Sequence, residues 1–353
     1  MQEKYRINDE ESKRINIIRF VSILFVLFTH SYSIGVQFGG NLGEVPISPW
    51  LAAYQECVSQ VITRCGVPLL FLLSAILFFS KERKYPQVLK SKCKTILVPY
   101  LFWNTFWIVV WIVLQQLPFT AVFFSGNNAK ILDMDVQGWL QLYGIGVNYP
   151  AYPQDYPLWF MRDLFVMFLI YPAIKALVSK FPKLSLAAGI VLLFVPDYWF
   201  KTALAWFLIG GALVQLNIHI TLLDKVPFWK VCLVYGVCLV SALLFSSVSC
   251  VKTAFVLVGI FFLLRLSKVI YDNVRARNII LRLSNYTFII YAFHEMTLSS
   301  VKKVFLRLLP QTDLFLFLEY NLIPFFVMGI CIFVGIAMKK IMPKFYALVT
   351  GGR

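Results

Sequence analysis

The sequence predicts an all-α polytopic membrane protein of about ten transmembrane helices, with both termini cytoplasmic. Three observations predict it. Hydrophobic residues fill 59% of the 353 positions and charged residues only 14%, and the mean hydropathy of +0.75 lies far outside the range of a soluble domain. Aromatic residues make up 17% of the chain and gather near the ends of apolar runs, as an interfacial belt does. The 33 lysines and arginines are segregated, with 25 of them on one side of the expected topology. That side is cytoplasmic by the positive-inside rule. The net charge of +16 is therefore an orientation signal first, and a nucleic-acid partner is not expected.

A polar cytoplasmic leader, 1–16, precedes a membrane domain, 17–340, and a cytoplasmic tail follows at 341–353. Hydropathy and breakers place spans near 17–38, 58–79, 95–117, 158–178, 184–197, 200–216, 228–246, 251–267, 283–300 and 314–338. The first run is long and has no A-x-A cleavage pattern, so it reads as an uncleaved span. A cation-dense loop, Ser80 to Lys94, returns the chain on the cytoplasmic side. Pro99 stands in the first turns of the third span, where proline is tolerated. The longest loop, Pro118 to Pro157, lies outside and carries Asp133, Asp135 and Asp155 against a single cation, Lys130. Spans five and six are short and flank "PDYWFK", as one broken element or a tight pair. Ser300 to Leu309 alternates cations with apolar residues at helical spacing and suits the outer interface. Seven cysteines without a CxxC pair read as small buried residues, and three scattered histidines do not predict a metal centre.

Chemistry concentrates in the first span, "KRINIIRFVSILFVLFTHSYS". Arg19 and His30 are eleven residues apart, about 20° past three full helical turns, so both project from one face some 16 Å apart. Arg19 falls at the cytoplasmic boundary and His30 near the middle of a hydrocarbon layer about 30 Å thick. Ionisable groups at such depth are costly and mark functional sites, and an imidazole can take and return a proton near neutral pH. An elongated ligand with an anionic head at Arg19 and a reactive end at His30 fits this spacing. The bland alternative makes Arg19 an inside anchor and His30 an interhelical hydrogen-bonding group.

The first span resembles that of the integral-membrane acyltransferases, the group called acyltransferase family 3, whose signature of arginine, ten residues and histidine is matched by Arg19 and His30. The resemblance continues in "TRCGVPLLFLLSAILFF", "KSKCKTILVPYLFWN", "PLWFMRDLFVMFLIYP" and "LSNYTFIIYAFH", in order across most of the chain. It implies an enzyme that transfers acyl groups other than aminoacyl groups. The acyl group, usually acetyl, comes from cytosolic acyl-CoA and goes to a sugar or lipid-linked glycan at a bacterial inner membrane. By that resemblance His30 is the catalytic base or acyl relay, and Arg19, with Arg14 or the loop cations Lys90 and Lys94, engages the donor's phosphates. Ser74, Trp159, Arg162 and His294 stand in matched stretches as substrate or structural support. No metal is expected. The chain departs from the family at Asn16, where an aspartate is usual, and at Ala75, where a glycine is.

Outside the matched stretches, Arg64 in the outer half of span two calls for a carboxylate partner, with Glu56 the nearest candidate, and His219 reads as incidental. No G-x-x-x-x-G-K-[ST] loop or G-x-S-x-G elbow is present. The rival class is a transporter or flippase of a polysaccharide or lipid-linked sugar, which would share the spans and the buried polar residues. A non-catalytic scaffold is the third reading. The acceptor, the choice of acetyl or succinyl, the carboxylate that orients His30 and the oligomeric state are open at this stage.

Overall fold

The computed structural model describes residues 5–33, 45–121, 130–146 and 151–352. These residues are helical, with one antiparallel bridge, Tyr143 to Pro153, among them. Five helical stretches are long and apolar enough to cross a membrane: Asp9–Ser31, Pro49–Phe79, Tyr85–Gln116, Ser249–Asp272 and Asp313–Ile341. Tyr171–Lys180 and Pro182–Phe194 add a sixth if that pair, bent by 120°, is one span; Lys201–Gln215 and Phe228–Leu244 are apolar but shorter. The chain forms two compact units. One comprises Met1–Val26, Cys57–Lys92 and Asp163–Thr287, and the other Leu27–Glu56, Cys93–Arg162 and Phe288–Arg353.

The first helix begins well before the expected span. Asn8 and Glu11 cap one another's backbone N–H groups at 3.1 and 2.8 Å, an asparagine version of the capping box, and Asp9, Glu10 and Glu11 favour the positive end of the helix dipole. The leader is thus helical from Asp9 onward. At the other end the helix stops at Ser31, and the expected boundary at residue 38 lies outside the described residues.

In the first unit, the glycine of the "GVP" stretch brings two backbones together: a Cβ on Gly66 would sit 3.1 Å from the Ser22 carbonyl oxygen. Ala75 packs closely on a glycine of its neighbour, since a Cβ on Gly210 would come within 2.6 Å of the Ala75 Cβ. The expected fourth span is interrupted at Ile170, giving Trp159–Leu169 and Tyr171–Lys180. Pro172 cannot donate the backbone bond that would continue the helix. The sharp bend then falls at Phe181, before Pro182. Pro182–Phe194 and Lys201–Gln215 are a tight pair, for a Cβ on Gly189 would meet Ile209 and the Ala205 carbonyl within 3 Å.

In the second unit, tryptophan N–H groups on Val98–Gln116 fasten neighbouring helices. Trp103 donates to the Val349 carbonyl at 2.9 Å and Trp107 to that of Ala292 at 3.2 Å. Thr287–Leu308 runs unbroken through the expected ninth span. The Ser300 to Leu309 stretch continues it to Leu308, with Lys302 and Leu306 buried on one face and Val304 and Leu308 exposed on the other.

Candidate active site

His30 occupies the last turn of the first helix, where a group able to carry positive charge suits the unsatisfied carbonyls. Its Nδ1 lies 3.4 Å from Oε2 of Glu295, both side chains about one-fifth exposed. That is an ion-pair distance, long for a hydrogen bond. The rings of His294 and Tyr156 each have their centroids 5.7 Å from that of His30. The carboxylate beside His30, which the sequence alone leaves open, is Glu295.

His294 is fully buried. Its Nδ1 faces the carbonyl oxygens of Tyr291 at 2.7 Å and Ile290 at 3.1 Å. Carbonyls only accept, so Nδ1 carries the hydrogen and a neutral ring keeps its lone pair at Nε2. That Nε2 is buried with no hydrogen-bond partner among the described residues. One nitrogen from each of His30 and His294 and a carboxylate oxygen of Glu295 lie within 4.8 Å of one another. Two imidazoles and a carboxylate are a donor set that a zinc-like cation accepts.

A second layer holds this cluster. Lys302 is 5% exposed and its Nζ donates to the carbonyl of Tyr32, two residues beyond His30. Its charge interacts with Glu319 and Glu295. Glu295 and Lys302 are seven residues apart and share a helix face. That spacing is the signal the sequence offers for the pair.

Residues 151–157, just before Trp159, are tied to their neighbours by several hydrogen bonds. Asn104 donates to the Leu142 carbonyl at 2.7 Å and accepts from the Asp155 N–H at 3.0 Å. Gln154 N–H reaches the Leu142 carbonyl at 2.8 Å, and the Tyr291 hydroxyl donates to the Pro157 carbonyl at 2.6 Å. Arg162 donates to the carbonyls of Gly144 and Ala151, so its place is as a brace of this loop.

Asp155 is 1% exposed and its Oδ2 lacks a hydrogen-bond partner among the described residues. Burial, assisted by the charge of Glu295, pushes its carboxyl well above the usual carboxylate range. A carboxyl raised in the folded state keeps its proton where the unfolded chain has released it, so its contribution to stability falls as pH rises above about 4. Asp155→Asn is therefore expected to raise Tm near neutral pH, by a margin that shrinks as pH is lowered toward 4. Thermal melts of detergent-solubilised protein across that window check it, and a margin that does not change with pH would contradict it.

The other sequence candidates separate clearly. Arg14 is fully buried in the first unit; its guanidinium meets Asp224 at 2.5 and 2.9 Å, the Ser267 hydroxyl at 3.1 Å and the Leu264 carbonyl at 3.0 Å. The expectation that it engages donor phosphates is corrected, because its fork is already occupied by the fold. Arg19 is half-buried, and among the described residues no hydrogen bond or ion pair holds its guanidinium. Lys90 and Lys94 are exposed. Ser74 donates to the Leu70 carbonyl one turn back at 2.7 Å, and Trp159 is half-buried at the start of its helix. Arg64 is exposed and pairs with the Gln60 amide in place of the expected carboxylate. His219 is not incidental: its Nδ1 lies 2.8 Å from the buried Glu11 carboxylate and its ring stacks on Tyr5 at 4.2 Å.

Comparison with known proteins places this geometry in a context. The chain is 28% identical over 223 residues to the succinoglycan biosynthesis protein ExoH of Rhizobium meliloti (strain 1021), a match covering 61% of this chain and 57% of that protein. The chain thus matches less than two thirds of that relative's length. No solved structure matches. The family model described as an acyltransferase domain matches residues 12–339, from the start of the first helix almost to the end of the last long one. The chain belongs to that acyltransferase family.

Proposed function

We propose that this protein is a multi-pass O-acyltransferase of a bacterial cytoplasmic membrane. It moves an acyl group, acetyl in the simplest case, from cytosolic acyl-CoA to a hydroxyl of a cell-envelope polysaccharide or lipid-linked sugar. The observation that carries the reading is His30 beside Glu295 on a chain of this family. In this reading the Glu295 charge favours the tautomer with its hydrogen on Nδ1, and Nε2 serves as the base. Nε2 takes the proton of the acceptor hydroxyl as the oxygen attacks the thioester carbonyl. Collapse of the tetrahedral species breaks the carbon–sulfur bond, and the imidazolium returns the proton to the departing CoA thiolate.

Arg19, eleven residues earlier on the same helix, is the residue offered to the donor's phosphates, with Lys90 and Lys94 as accessory cations on the cytoplasmic side. The ten-span arrangement belongs to this proposal. It counts the short apolar helices and Thr287–Leu308 as spans and keeps both termini on the cytoplasmic side. The succinoglycan role of the relative supports a polysaccharide acceptor.

A metal-dependent reading has one observation in its favour, the three donor atoms within 4.8 Å. One experiment separates the readings. Purified protein is incubated with acetyl-CoA labelled in the acetyl group and with candidate envelope glycans, before and after exhaustive chelation. Label is expected in the glycan at an unchanged rate after chelation. Loss of transfer on chelation, restored by zinc, would move the chemistry to a metal. Absence of labelled glycan from every acceptor, with glycan transport in vesicles instead, would favour the transporter class.

A further inference from the structure

We propose that Tyr152 and Tyr156 form a stacking platform for a sugar ring of the acceptor, placed against the catalytic imidazole. The inference rests on the acyltransferase reading and names the acceptor side of that same site. The two tyrosine rings lie with centroids 4.5 Å apart, tilted by 52°. Tyr156 also stands nearly perpendicular to His30, at 76° and 5.7 Å. Each tyrosine leaves 38% of its surface exposed, although both sit on a segment whose backbone is tied down on several sides.

That contrast carries the argument. Loop aromatics serving only as packing would be buried by so well-fastened a segment. Here the Ala151 carbonyl accepts from Arg162, Gln154 and Asp155 donate to Leu142 and Asn104, and the Pro157 carbonyl accepts from Tyr291. The backbone is held by these bonds while both rings stay partly exposed. Exposed aromatic surface held in a fixed place, next to a reactive group, marks a recognition site. Tyrosine suits a sugar in particular. Its ring offers a flat apolar face to the C–H face of a pyranose, and two side-chain torsions cost little entropy to fix. A platform edge-on to His30 would hold a sugar hydroxyl where the imidazole can deprotonate it, and positioning of that kind contributes directly to rate.

The competing explanation is that the tyrosines anchor the loop at the membrane surface, as interfacial aromatics do. Saturation-transfer NMR of detergent-solubilised protein separates the two, with a panel of unsubstituted hexose and N-acetylhexosamine tetrasaccharides as probes. Wild type is expected to saturate protons on one face of a pyranose ring. Tyr156→Ala and Tyr152→Ala should lose most of that signal, and Tyr156→Trp should keep it. In the transfer assay the alanine variants should raise the acceptor KM about tenfold, while the KM for acetyl-CoA and the thermal melt stay at wild-type values. Sugar contact that is undiminished in both alanine variants, or undetectable in wild type, overturns the platform. Sugar contact that depends on the tyrosines in a protein that transfers no acyl group leaves the platform standing and defeats the acyltransferase reading.

Discussion

Replacing His30 with alanine is expected to lower kcat for acyl transfer by about 10²–10⁴-fold, the usual range for loss of a positioned general acid–base group. That corresponds to about 3–5 kcal/mol of transition-state stabilisation. Folding should survive. The side chain is about one-fifth exposed, it sits in the final turn of its helix, and alanine is the best helix former. Glu295→Gln should give a smaller loss, because it removes the charge that orients the imidazole and leaves the base itself in place. Steady-state transfer of labelled acetyl groups, with a thermal melt of each variant, measures both. If purified His30→Ala transferred at wild-type rates, the catalytic assignment would be falsified. A Glu295→Gln variant as inactive as His30→Ala would mean that the carboxylate does more than orient.

What could be read from the amino-acid order divides by range. The helix carrying Arg19 and His30, and their common face, follow from local periodicity, and the first helix runs unbroken through both residues. The partner of His30 is 265 positions away, and hydropathy holds no information about which helices meet. Glu295 stood in view beside His294 but had no geometric reason to be chosen. The break at Ile170 was legible in principle, since Pro172 follows an apolar run that hydropathy alone treats as continuous. Lys302 is hard to place from sequence, because alternating cations suggest a wet face, whereas burial near two carboxylates and a helix-end carbonyl satisfies an ammonium equally well. Sequence does not distinguish Tyr152 and Tyr156 from belt aromatics; the proposal separates them by the hydrogen bonds that tie their segment and by the neighbouring imidazole.

Arg14 and Arg19 make the strongest contrast, because charge counting treats them alike. Arg14→Ala is expected to cost stability and Arg19→Ala is expected to cost donor affinity. In the first case the substitution strips Asp224 of a two-pronged partner and takes one donor each from the Ser267 hydroxyl and the Leu264 carbonyl, which keep only their mutual bond at 2.6 Å. Breaking a buried pair from one side typically costs about 3–5 kcal/mol. The lower end applies here, since Asp224 keeps 20% of its side-chain surface in contact with solvent. For a protein of ordinary marginal stability, that is enough to reduce the folded yield sharply. Arg14→Lys should recover only part of the loss, because an ammonium cannot reproduce the planar fork. Arg14→Ala combined with Asp224→Asn should recover more, by removing the stranded charge. Arg19→Ala should melt like wild type and raise the KM for acetyl-CoA with little change in kcat. Melting curves paired with donor titrations decide the matter: a stable Arg14→Ala protein with weakened donor binding would return that arginine to the donor site, and an Arg19→Ala protein with unaltered donor KM would remove Arg19 from it.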